Sequence, residues 1–99
     1  MKFELFKEVA LAVDIPDHRL KKGDIATVVD YLPAGPNPEP GYALEVFNTV
    51  GESIDVLMVT ESQLEPLGSE EVWHARHLVK SPPNDHVPRI LVPVRTLNI

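Results

Sequence analysis

The chain contains no cysteine, which removes disulfide staples, thiolate chemistry and every zinc site built on sulfur from consideration. A reducing compartment suits such a chain, and a cytoplasmic location is the expectation. Long hydrophobic runs are missing as well. No stretch approaches the roughly 18 apolar residues needed to span a bilayer. Glu4, Lys7, Glu8 and Asp14 interrupt the region where the apolar core of an export signal would lie. The expectation is a soluble, unexported protein with no membrane partner.

Basic residues are scarce: nine Lys and Arg face fifteen Asp and Glu, a formal net charge of -6. That balance repels phosphate backbones and anionic lipid, so nucleic acid is disfavoured as a partner. Glycine-rich phosphate loops are absent too, because the five glycines are scattered at positions 23, 35, 41, 51 and 68. Serines 53, 62, 69 and 81 lack the Gly-x-Ser-x-Gly context of a strained nucleophile elbow. The expectation is therefore a non-enzyme, with no catalytic residue, no cofactor and no metal.

What the chain does have is β-branched residues in short runs separated by turn formers. Its 99 residues leave room for one domain and an appendage. Val9–Val13 reads as a strand closed by Ile15-Pro16-Asp17, although Phe3, Phe6 and Ala10 also fit a helical period. Asp17–Lys22 is polar and leads into a Gly23-Asp24 turn. Ile25–Leu32 follows as a strand, with Ile25, Thr27, Val29 and Tyr31 expected on one face. Four prolines between Pro33 and Gly41 remove backbone donors and force an exposed, stiff loop. Tyr42–Phe47 and Ile54–Val59 then form a hairpin across an Asn and Gly turn, with Tyr42, Leu44 and Val46 sharing a side. Glu61–Leu64 is long enough for one helical or 3₁₀ turn, and Glu65–Leu67 for a last short strand. Four or five such strands bury their inner faces most economically as a small, strongly bent barrel.

The balance of charge changes at Gly68. Residues 1–67 carry five basic against twelve acidic side chains, and residues 68–99 four against three. We therefore expect a barrel domain over residues 1–67 and a C-terminal extension over residues 68–99. In the extension, Ser69 could cap a short helix, yet Trp73, Ala75, His77 and Val79 alternate as a strand would, and both readings stay open. Ser81–Asp85 is a break. Arg89–Leu97 is an extended apolar run that Pro93 confines to an edge strand or an arm.

Residues 5–67 resemble a short bacterial family known as domain of unknown function 4926. The resemblance lies in Leu5-Phe-Lys-Glu-Val-Ala-Leu11, Leu20-Lys-Lys-Gly-Asp-Ile-Ala-Thr-Val-Val29, Tyr42-Ala-Leu-Glu-Val-Phe47 and Ser62-Gln-Leu-Glu-Pro-Leu67. The Gly23-Asp24 turn feeding a β-branched strand also looks like the opening of other SH3-like barrels. Ala26 departs from the pattern, since glycine is usual there. The resemblance implies a mainly β fold, a small SH3-like barrel of about five strands with a C-terminal extension, and carries no activity with it.

Four histidines are the first candidates for a site. His74 and His77 would share a face on a helix and could hold a metal with Glu70 or Glu71, but ordinary solvated histidines beside a tryptophan is the favoured reading. Asp17-His18 and Asp85-His86 are neighbours in sequence, which supplies no catalytic geometry. Arg19, Lys21 and Lys22 form the one dense basic cluster, and Asp14, Asp17 and Asp24 nearly cancel it. The tail holds more promise: Trp73, Ile90, Leu91, Val92 and Val94 are apolar residues beyond a core that residues 5–67 nearly complete. Either the tail folds back to finish that core or it buries these side chains against a partner by strand addition. The leading expectation is a non-enzymatic protein-interaction or accessory module, inhibitory or antitoxin-like. Its partner would be another protein, or a second copy met through the extension. A nucleic-acid-binding barrel using the Arg19–Lys22 loop is the alternative.

Overall fold

A computed structural model of the chain describes residues 1–36, 38–68, 72–78 and 90–96. Seven strands account for most of them: β1 (Glu8–Leu11), β2 (Ile25–Leu32), β3 (Gly41–Phe47), β4 (Ser53–Thr60), β5 (Leu64–Pro66), β6 (Val72–Leu78) and β7 (Ile90–Thr96). The first five form one antiparallel sheet in the order β4-β3-β2-β1-β5, and β6 and β7 form a separate hairpin. The fold is thus mainly β. Among the described residues no helix is long and apolar enough to cross a membrane.

Local chemistry sets the turns. Gly23 adopts φ +93°, a conformation L side chains rarely take, and the bend it makes is held by Leu11 N–H on the Asp24 carbonyl and Gly23 N–H on the Leu11 carbonyl. The residues before it, expected as a loop, contain one 3₁₀ turn at Pro16–His18. In the β3–β4 turn, Asn48 Oδ1 accepts from the amides of Val50 (3.1 Å) and Glu52 (2.9 Å), in the manner of an Asx turn. A second 3₁₀ turn, Glu61–Gln63, joins β4 to β5, and Glu39 reaches across from the proline-rich loop to accept from Ser62 N–H and Oγ–H. That loop is thereby pinned to the sheet.

Alternation along β3 places Tyr42, Leu44 and Val46 inward, as expected. They pack with Val9, Leu11, Val28, Leu57, Val59 and Leu64 in one cluster. The expected face of β2 differs. Its pairing with β3 shifts between Val28 and Asp30, so Val29 is an extra residue that reverses the parity of the strand. Ala26 and Val28 face the core before the bulge, and Tyr31 faces it afterwards, its ring 5.2 Å from that of Tyr42.

Residues 72–78 are strand, which resolves the open choice between helix and strand for Val72 and Trp73; Ser69, Glu70 and Glu71, where the helical alternative began, lie outside the described residues, as do Val79 and the Ser81–Asp85 break. The hairpin folds onto the sheet, for Leu78 and Val92 belong to the same core cluster. β7 is anchored at both ends: Thr49 N–H donates to the Leu91 carbonyl, and Arg95 N–H donates to the Gly23 carbonyl. These two contacts show that residues 91, 93 and 95 turn their backbone groups away from β6. Pro93 therefore removes no β6–β7 hydrogen bond, which is how a proline sits inside this strand.

Candidate functional site

The five tail residues singled out from the sequence part ways. Val92 and Val94 are buried, and Ile90 is half-buried against the core. Trp73 is 45% exposed and Leu91 also reaches the surface. Because β6 is a strand, the three-residue spacing of His74 and His77 sends them to opposite faces. Among the described residues no group of three His, Asp or Glu lies close enough to hold a metal, and His86 falls outside them. His18 turns away from its sequence neighbour Asp17 and pairs through Nδ1 with Asp55 Oδ2 at 2.8 Å.

The basic loop gains neighbours from the hairpin. Arg19 and Lys21 line a cleft of about 300 Å³ with Asp14, Arg76 and His77. Arg76 is already spent there: its Nε donates to Asp24 Oδ1 at 2.7 Å, Nη2 to Asp24 Oδ2 and the Arg19 carbonyl, and Nη1 to the His77 carbonyl. Arg19 and Lys21 are the other cations of the cleft, and Asp14 is the carboxylate beside them.

The outward face of the sheet is more distinctive, and register fixes its composition. One cross-strand row runs Glu8, Thr27, Glu45, Val56; a second runs Asp30, Ala43, Met58; a third runs Leu32, Gly41, Thr60. Leu32 (54%), Val56 (58%) and Met58 (53%), on the two strands that flank β3, are exposed to a degree unusual for large apolar side chains on one face of a sheet. The charged members of the three rows are Glu8, Asp30 and Glu45, all acidic. Gly41 opens a gap between two of the apolar residues: a Cβ there would stand 3.6 Å from the Met58 methyl and 3.8 Å from Leu32 Cβ.

A cleft adjoins each end of this face. At the Gly41 end, Leu32, Pro33, Pro36 and Met58 line one of about 420 Å³. At the Phe47 end, Glu8, Phe47, Trp73, Ala75 and Pro93 line another of about 460 Å³, where the hairpin meets the β3–β4 turn. The outward residues of β3, from Gly41 to Phe47, span about 20 Å between them at the usual rise per residue. β4 borders the face as an edge strand, and among the described residues no strand pairs with its outer side.

Sequence reasoning passed over Leu32, Val56 and Met58. The signal was present in β4, where Val56 and Met58 alternate with Leu57 and Val59: a run apolar at both parities on a sheet with one face in the core leaves one set in water.

An antiparallel sheet of five short strands with a two-stranded hairpin folded onto it defines a small, mainly β domain. Residues 5–66 match the model of the family described as Domain of unknown function (DUF4926), and the chain belongs to that family. No curated protein and no solved structure matches it.

Proposed function

We propose that this protein is a non-enzymatic accessory module, an SH3-like barrel that binds a segment of another protein on the outward face of its sheet. The observation that carries the reading is the cluster of Leu32, Val56 and Met58, each more than half exposed on one face of the sheet. Large apolar side chains held on a rigid sheet contribute binding energy with little ordering cost. The barrel assignment is supported by the strand order β4-β3-β2-β1-β5, by the bulge that bends β2, and by the 3₁₀ turn between β4 and β5. A cytoplasmic setting accords with the absence of cysteine.

Affinity capture from the native host, run in parallel with the wild-type chain and a Val56→Lys/Met58→Lys double variant, tests the reading. Both positions are exposed, so the variant should keep its stability to within about 0.5 kcal/mol. A stoichiometric protein retained by the wild type and lost by the variant is the expected result. Identical capture by both, or none by either, overturns the proposal.

A further inference from the structure

Resting on that docking face, we infer that the cleft between Glu8, Phe47 and Trp73 receives a Lys or Arg side chain, and that the partner segment is accordingly basic as well as apolar. Three observations converge on this chemistry. First, Glu8 lines one cleft together with Phe47, Trp73 and His74, and the Glu8 side chain makes no ion pair or hydrogen bond among the described residues. An aromatic face attracts a cation through its quadrupole, and an adjacent carboxylate adds a directional ion pair. Second, the charged groups along the sheet rows leading to the cleft are Glu8, Asp30 and Glu45, with no Lys or Arg in those rows to compensate them. A basic segment is drawn to such a strip, whereas an acidic one is repelled. Third, the chain as a whole carries -6, which sets the same preference at longer range and disfavours a second copy of itself as the occupant.

The geometry also sets the segment's pattern. Its apolar residues would sit over Leu32, Met58 and Val56 in turn and its cation in the Trp73 cleft, about 20 Å or six extended residues from the Leu32 end of the face and nearer to Val56, which pairs with Glu45. Arg suits the cleft better than Lys, because its planar guanidinium can lie on an aromatic ring and fork onto a carboxylate at once.

Trp73 is the sole tryptophan, so its emission reports on the cleft without a label. The probe is an acetylated, amidated peptide of alternating leucine and arginine. The controls are the same peptide with citrulline in place of arginine, which keeps shape and removes charge, and the arginine peptide against Glu8→Gln protein. Amide shifts of Leu32 and Met58 in a ¹⁵N spectrum report on the far end of the face. The arginine peptide is expected to change Trp73 emission saturably, to shift Leu32 and Met58, and to weaken as salt is added. Citrulline should weaken it by roughly three- to ten-fold, the range of one cation–π contact together with one partly exposed ion pair, and Glu8→Gln by about two- to five-fold, the share of the ion pair alone. If the peptide shifts Leu32 and Met58 while leaving Trp73 unchanged, or if citrulline binds as tightly as arginine, the cation site is wrong and the docking face stands. If millimolar peptide moves neither end, both fall.

Discussion

Arg76 on β6 forks onto Asp24 at the start of β2, with Nε 2.7 Å from Oδ1 and Nη2 on Oδ2, and so ties the C-terminal hairpin to the turn that opens the sheet. Asp24 is almost fully buried, and its Oδ2 also accepts from Lys21 N–H at 2.9 Å. A buried carboxylate whose oxygens are all engaged is tolerated, whereas the same site with one partner missing is not. Asp24→Ala should therefore cost about 3 kcal/mol in urea unfolding, since it strands both the Arg76 guanidinium and the Lys21 amide. Adding Arg76→Met to that variant should cost little more. Two single-variant losses that simply sum in the double would show that the pair is not coupled.

Tyr42 sets a limit at alkaline pH. Its hydroxyl donates to Glu61 Oε2 at 2.7 Å and accepts from the amides of Lys2 (3.1 Å) and Phe3 (3.3 Å), inside a core where its ring meets Phe3 edge-on. Burial raises its pKa above the ordinary tyrosine value, and the hydrogen bond donated to Glu61 raises it further. The folded state then holds the phenol proton more tightly than the unfolded chain. Its contribution to stability is complete below the unfolded pKa of about 10 and is lost as pH rises through the folded value. Unfolding free energy should fall above pH 10, and in Tyr42→Phe that fall should be smaller. At neutral pH the same variant should lose about 1–2 kcal/mol, because Glu61 and two amides give up their partner. Equal alkaline slopes in the two proteins would argue against this origin.

The strands were more legible than their faces. β2 and β3 announce themselves through β-branched and aromatic residues between strong turn signals, and the turn residues Gly23, Asn48 and Gly51 act as their chemistry dictates. The bulge at Val29 left no trace, because an inserted residue is defined by the pairing of two strands and not by the composition of one. The tail was ambiguous for a related reason. The alternation of Trp73, Ala75 and His77 marks the exposed side of β6, and the part of the hairpin that fills the core, Leu78 with Val92, is divided between its two strands. Of the candidate site, Trp73 was visible as a lone large aromatic, while the Leu32, Val56 and Met58 surface depended on knowing which parity of each strand meets the core.

Gly23 should be the least replaceable glycine outside the hairpin turn. Its φ of +93° strains any L side chain, and a Cβ would stand 3.5 Å from Val94 Cγ1, in ordinary contact. The penalty therefore comes from the backbone and not from a clash. Gly23→Ala should cost about 1–2 kcal/mol in thermal or urea unfolding. At Gly35 a Cβ would meet no atom within 4 Å and the backbone has no positive φ, so Gly35→Ala should be neutral to slightly stabilising. A reversed order would mean that the Gly23 turn relaxes at little cost.

The family's share of the chain ends at residue 66, yet the core does not. Val92 is fully buried and packs in the same cluster as Val28, Leu44 and Val46, so truncating it leaves a cavity in the interior that sheet and hairpin share. Val92→Ala should then destabilise by about 2 kcal/mol, close to the cost of Val46→Ala on the opposite side of the family boundary. Both variants should shift a single, shared unfolding transition, because one cluster cannot melt in halves. Two separable transitions, with Val92→Ala moving only the earlier one, would make the hairpin an independent appendage. The clasp between Arg76 and Asp24 would then be a tether holding an accessory to a sheet that is already complete.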